Sequence, residues 1–326
     1  MKRLRDIHAS AWLAAAVMAV SFSGGCGERA TAAHALPAGI IAIWGMPGRI
    51  DGAFVQPRVI DCMPDGEVSV IDRSGRVQFF SESGRFAGKF TVANTEKGYP
   101  TGMTVTPDGR IWIAETHAYR VGVYTREGQE VMAFGGAGHG DGQFIYVTDV
   151  AVSGRYVYAS DFGGDDRVQQ FDSEGRFIRK WGGTGEGAGQ FRRPQALAVG
   201  ADGSIFVADA CNDRIQKFSP DGECLGVYGR SGTGVGEFLY PYDIAAAPDG
   251  TLYIAEFGNC RIQRMTADGK WLGTWGRAGS GPGELAQPWA VALDKKGTLF
   301  IVDNGNSRVV VLDPAAAEWS GQTKGA

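Results

Sequence analysis

Six side chains in this sequence could do chemistry together: Arg58, Asp149, Gln195, Tyr242, Asp243 and Trp289. They fall at matching points of six short apolar runs that start at Pro57, Pro100, Val147, Pro194, Pro241 and Pro288. One residue into each run the chain has Arg58, Thr101, Thr148, Gln195, Tyr242 and Trp289. One residue further it has Val59, Gly102, Asp149, Ala196, Asp243 and Ala290. The runs are otherwise much alike, so shared packing accounts poorly for this variety. If the runs converge on one axis, Asp149 and Asp243 face each other across it. Paired carboxylates suit a hard divalent cation such as Ca²⁺. Arg58, Tyr242 and Trp289 add charge and aromatic surface for a polar ligand. The plainer alternative is that these groups hydrogen-bond loop amides or channel water.

Other chemical sets are weaker. An acid and an arginine recur five or six residues apart: Glu115/Arg120, Asp161/Arg167, Asp209/Arg214, Glu256/Arg261 and Asp303/Arg308. A catalytic group is needed once, so a pair repeated this often reads as loop-closing scaffold. His117 and His139 are the only histidines after residue 34, which is thin material for a multi-histidine metal site. They read as solvent-exposed loop residues. Cys211 and Cys260 occupy neighbouring repeats and could bridge if their Cα atoms approach. Cys62 and Cys224 read as small core residues. No CxxC, CxxCH or GxSxG motif is present.

The elements that must position these residues are repeats. The last four steps between run starts are 47 residues each and the first is 43. Arg76, Arg120, Arg167, Arg214, Arg261 and Arg308 keep nearly the same spacing. A period held this tightly means one supersecondary unit written six times. In the fifth copy, Asp-Gly turns at Asp249-Gly250 and Asp268-Gly269 separate runs at about 243–247, 251–256, 261–266 and 270–275. Such runs between Asp-Gly pairs are hairpin signals. One four-stranded meander cannot bury both faces, but six packed in a ring can. The predicted fold is therefore all-β: a six-bladed β-propeller of four-stranded antiparallel blades. The sixth copy lacks its last strand. The segment at about 39–45, ending in the aromatic Trp44, is predicted to complete that blade and close the ring. Phe90, Phe134, Trp181, Tyr228 and Trp275 are its counterparts, read as packing between blades.

The units resemble NHL repeats. The resemblance is carried by Phe206-Val207-Ala208-Asp209 with Asn212-Asp213-Arg214-Ile215-Gln216 and by Ile301-Val302-Asp303 with Asn306-Ser307-Arg308-Val309. Ile254-Ala255-Glu256 with Asn259-Cys260-Arg261-Ile262-Gln263 matches with Glu in place of Asp. It covers about residues 39–313 and implies the six-bladed fold, whose members include both binding proteins and enzymes. Some lyases of this fold hold zinc with three histidines from different blades, a pattern this chain does not meet.

Residues 1–26 read as an export signal: Lys2, Arg3 and Arg5 precede an apolar run too short to span a bilayer. Ser23-Gly24-Gly25-Cys26 resembles a bacterial lipobox, with Ser23 where Leu is preferred, and implies lipidation of Cys26, with ordinary signal cleavage as the alternative. Residues 27–38 read as a flexible tether and 314–326 as a C-terminal tail. The implied location is the cell envelope, anchored by lipid to a membrane. A net charge of −4 and a pI near 5.7 argue against a nucleic-acid partner. The expected function is a binding scaffold for a protein, peptide or glycan on the loop face. The alternative is a metal-dependent lyase or lactonase-like hydrolase at the channel mouth.

Overall fold

The computed structural model describes residues 35–321, apart from Asn94, Glu96 and Lys97. The segment read as an export signal, with Cys26 as the expected lipidation site, lies outside the described residues, as does most of the segment read as a tether. Among the described residues no helix is long and apolar enough to cross a membrane.

Six four-stranded antiparallel sheets make the blades. The fifth runs Pro241–Ala246, Thr251–Glu256, Arg261–Thr266 and Trp271–Trp275, each strand paired with the next in sequence. Its bounds lie close to those expected from the turns. The first strands of neighbouring blades pack on one another around the axis. The sixth blade takes its outer strand from the other end of the chain. Ile40–Trp44 pairs antiparallel with Arg308–Leu312, with Trp44 opposite Val309.

A repeated contact fixes each blade against the next. Trp44 lies flat on the turn at Gly84 in blade one. Gly84 has φ +85°, and a Cβ there would sit 2.2 Å from the indole. Only glycine meets both demands. The same pairing recurs between Phe90 and Gly128, Phe134 and Gly175, Trp181 and Gly222, and Tyr228 and Gly269. These aromatics are therefore packing groups. Trp275 instead meets the end of the chain, where Trp319 and Ala317 join its apolar cluster. Ser320 exchanges main-chain hydrogen bonds with Thr274 at 2.9 Å. Residues 314–321, read from sequence as a tail, thus pack on blade five.

The loops between blades are built to one plan. Phe54, Phe144, Phe191, Phe238 and Leu285 each plug the loop that leads into a first strand, and all are almost fully buried. Below them the acid and arginine form a staple. In blade four Arg214 Nε donates to Asp209 Oδ2 at 2.7 Å. Its other nitrogens donate to the carbonyls of Glu186, Gly187 and Gln190 at 2.6–2.8 Å. Gln216 adds a donation to Gln190 O at 2.6 Å and accepts from Gly189 N at 2.9 Å. Arg261 and Arg308 repeat the pattern, and Arg76 with Asp72 extends it to blade one. The expected scaffold role holds, and it goes further: the guanidinium orders the long loop as well as closing the short one. Blade two differs. Gly122 stands at the glutamine position, and Tyr124 donates to Glu115 there.

Candidate functional site

The first strands converge on a central cavity of about 270 Å³. Arg58, Asp149, Gln195, Tyr242, Asp243 and Trp289 all line it. Strict strand alternation would send consecutive residues to opposite faces. A β-bulge at the start of five first strands prevents this. The register shifts between Pro57 and Val59, Val147 and Asp149, Pro194 and Ala196, Pro241 and Asp243, and Pro288 and Ala290. The residue passed over is Arg58, Thr148, Gln195, Tyr242 or Trp289. A bulge re-aims such a side chain, here bringing Arg58, Gln195, Tyr242 and Trp289 to the cavity beside their neighbours, while Thr148 is buried between blades.

The mouth is a chain of aromatic and guanidinium groups. The Arg58 guanidinium lies over the Trp289 ring at 4.6 Å. Trp289 meets Tyr242 edge-on at 4.9 Å, and Tyr242 stacks on Phe257 at 4.6 Å. Arg193 sits between Tyr242 and Phe162, 5.6 and 5.3 Å from the two rings. Phe162 meets Tyr146 at 5.2 Å, and Tyr146 meets His117 at 5.7 Å. All these side chains are half-buried. Two of the polar positions are structural instead. Thr148 donates to Pro194 O at 2.6 Å, and Thr101 donates to Thr148 O at 2.8 Å, so both tie neighbouring blades. Gln195 is buried and accepts from Arg193 Nε at 3.1 Å.

Among the described residues, three buried donor or acceptor atoms at this mouth have no partner: Arg58 Nε, Trp289 Nε1 and His117 Nδ1. Arg58 makes no ion pair among the described residues. Burial lowers its pKa to about 10, with the nearby charges of Arg73 and Arg193 adding to the effect. It remains a cation at neutral pH. Burial and then Arg58 also lower the pKa of His117. The expectation of a solvent-exposed His117 is thus corrected: blade two folds it against Tyr146 at the rim. His139 is exposed as expected.

Below the mouth lie three carboxyls. Asp149 and Asp243 were expected there, and Asp61 joins them from two residues deeper in blade one. Each accepts a main-chain N–H from the next blade: Asp149 Oδ2 from Leu197 at 2.8 Å, Asp243 Oδ2 from Val291 at 2.9 Å, Asp61 Oδ2 from Val105 at 2.6 Å. Desolvation pushes Asp243 up to about 7 and Asp61 to about 6. Asp149 is raised well above the carboxylate range by burial, then by the charge of Asp243. This arrangement fits a hard cation poorly. Both Asp243 oxygens face N–H donors, Ile244 at 2.8 Å being the second. Among the described residues no three His, Cys, Asp or Glu side chains gather as metal ligands. Cys211 and Cys260 are free thiols, so the bridge between neighbouring repeats is not formed. Cys62 and Cys224 are half-buried, at the edge of the core rather than within it.

Sequence reasoning missed Phe162, Phe257 and Arg193. A signal existed for the first two. The residue after the staple acid is Arg73, Thr116, Phe162, Ala210, Phe257 or Asn304, and large aromatics there are as irregular as the row at Tyr242. Arg193 stands before Pro194 in a left-handed conformation, φ +59°, that several repeats share.

Comparison with known proteins agrees with the architecture. The NHL repeat family matches residues 98–124, 191–218 and 285–312. No curated protein matches the sequence. Among solved structures, a streptogramin B lyase superposes with a TM-score of 0.61 at 17% identity, over 83% of this chain and 97% of that one. A structural genomics protein of unknown function from Bacteroides thetaiotaomicron gives 0.66 at 18% identity, over 85% and 75%. The gluconolactonase XC5397 from Xanthomonas campestris gives 0.61 at 14% identity, over 80% and 87%. Identities this low speak for the fold alone. Blade pairing and ring closure agree with the repeat match: the chain is a six-bladed β-propeller in which the NHL repeat model matches units in blades two, four and six.

Proposed function

We propose that this propeller is a binding module that holds a segment of a protein, peptide or glycan at its loop-face mouth. The observation that carries the reading is the aromatic and arginine belt with unpartnered buried atoms at Arg58 and Trp289. Unsatisfied buried donors cost free energy, and a ligand's acceptors would recover it. The rings offer apolar area on a rigid ring of stapled loops, so little ordering is needed on binding. The export signal and Cys26 support a place in the cell envelope, anchored by lipid. A peptide and glycan array probed with the full chain tests the binding reading. Ligands should be retained by the parent and lost in Tyr242→Ala and Trp289→Ala. Retention of every ligand by both variants would move the site elsewhere.

The lyase or lactonase-like reading has one support, the carboxyls in the channel. It requires Asp149 and Asp243 to hold a cation. Their oxygens already serve as acceptors for main-chain N–H groups, so the binding reading is preferred.

A further inference from the structure

We propose that the mouth takes a carboxylate carried beside an aromatic or apolar group, with Arg58 as its ion-pair partner. The inference rests on the reading of the mouth as a binding site and names the ligand class it takes. It starts from a contrast among arginines. Arg76, Arg120, Arg167, Arg214, Arg261 and Arg308 open equivalent strands, and each is paired with an acid. Arg58 stands at the mouth, half-buried, with no acid partner among the described residues and with Nε buried and unpartnered. Such a cation is left uncompensated by the fold, a situation that an anionic ligand corrects.

The geometry narrows the anion. Trp289 covers one face of the Arg58 guanidinium at 4.6 Å. A stacked guanidinium is held in plane and offers its N–H edge, which matches the two oxygens of a carboxylate. Arg193, on the far side of Tyr242, adds a second cation without an acid partner among the described residues. Below, Asp149, Asp243 and Asp61 occupy the cavity floor. The wall beside Arg58 is apolar, which leaves the extra charge and oxygen of a phosphate dianion unmatched and favours a carboxylate. Phe257, Tyr242 and Trp289 form a continuous apolar wall for the adjoining group. The cavity of about 270 Å³ admits one side chain or chain terminus, not a folded domain. Two sources share this chemistry: the C-terminus of a peptide, or a free small carboxylic acid.

Titration calorimetry on the full chain separates the outcomes. The probes are N-acetyl-phenylalanine and N-acetyl-leucine with their amides, the peptide Ala-Ala-Phe with a free or amidated C-terminus, and inorganic phosphate. The acids are expected to bind at least tenfold more tightly than the amides, and more tightly than phosphate. Arg58→Gln should lose at least tenfold for the acids and little for the amides, with Arg58→Lys between. Tighter binding of the peptide acid than of the N-acetyl acids assigns the site to chain termini, and the reverse to small acids. If Arg58→Gln does not fold, the acid-to-amide ratio in the parent and the loss in Arg193→Gln decide. Equal binding of acid and amide, tighter binding of phosphate, or no carboxylate binding would overturn the proposal. Array ligands that depend on Trp289 but not on a carboxylate would leave the binding reading standing while this inference fails.

Discussion

Asp243 of blade five accepts the main-chain N–H of Val291 in blade six, 2.9 Å away. Asp149 does the same to Leu197 and Asp61 to Val105, so a channel carboxyl clips blade one to two, three to four, and five to six. All three hydrogen-bond across the wall of one cavity whose carboxyls are hard to ionise.

That difficulty has a sign. An unfolded aspartate titrates near 3.9. Asp243 is pushed up to about 7 and Asp61 to about 6 in the fold. A raised carboxyl binds its proton more tightly when folded, so its contribution is fully present below about pH 4 and is lost as pH rises through 6–7. Thermal melting between pH 5 and 8 should show stability falling by on the order of 4 kcal/mol from these two groups, the larger part from Asp243. Asp243→Asn should flatten that fall. An identical pH profile in the variant would show that Asp243 does not titrate as described.

Paired and unpaired arginines should respond oppositely to truncation. Asp209→Ala strands the Arg214 guanidinium, whose side chain is 11% exposed. It should cost about 3 kcal/mol in denaturant unfolding. Arg58→Gln removes an uncompensated charge and should leave stability unchanged or raise it by up to ~1 kcal/mol. A large loss at Arg58 would mean that it belongs to the scaffold.

Ring closure depends on the first strand. Trp44 is 8% exposed and packs on Phe54 and Phe80. Trp44→Ala should cost about 3–5 kcal/mol. Deleting residues 39–45 should unfold the domain cooperatively. A truncated protein that melted like the parent would contradict closure through Arg308–Leu312.

Metal analysis addresses the channel carboxyls. With Asp149 and Asp243 serving as N–H acceptors, purified protein should carry well under one equivalent of divalent cation, and a chelator should leave its melting temperature unchanged. A stoichiometric cation lost in Asp149→Ala or Asp243→Ala would favour the enzyme reading.

The fold was legible because it is local and repeated. Asp249-Gly250 and the run ending at Glu256 carry their own hairpin chemistry, and the 47-residue step copies it. Asp149 and Asp243 were legible as breaks in that regularity. Asp61 was not, because its place beneath them depends on where each strand sits against its neighbour in the ring. Arg193, Phe162 and His117 belong to blades four, three and two and are brought together only when those blades pack side by side. No local pattern encodes that distance. The bulge that turns Tyr242 beside Asp243 was equally silent, since alternation alone would have parted them.

Hydrogen exchange with the tightest array ligand bound tests the central claim, that the loop-face mouth is the binding site. Protection is predicted at the segments holding Arg58, Tyr242-Asp243, Phe257 and Trp289. Protection confined to the opposite face, at the turns of Asp65-Gly66, Asp108-Gly109 and Asp249-Gly250, would contradict it.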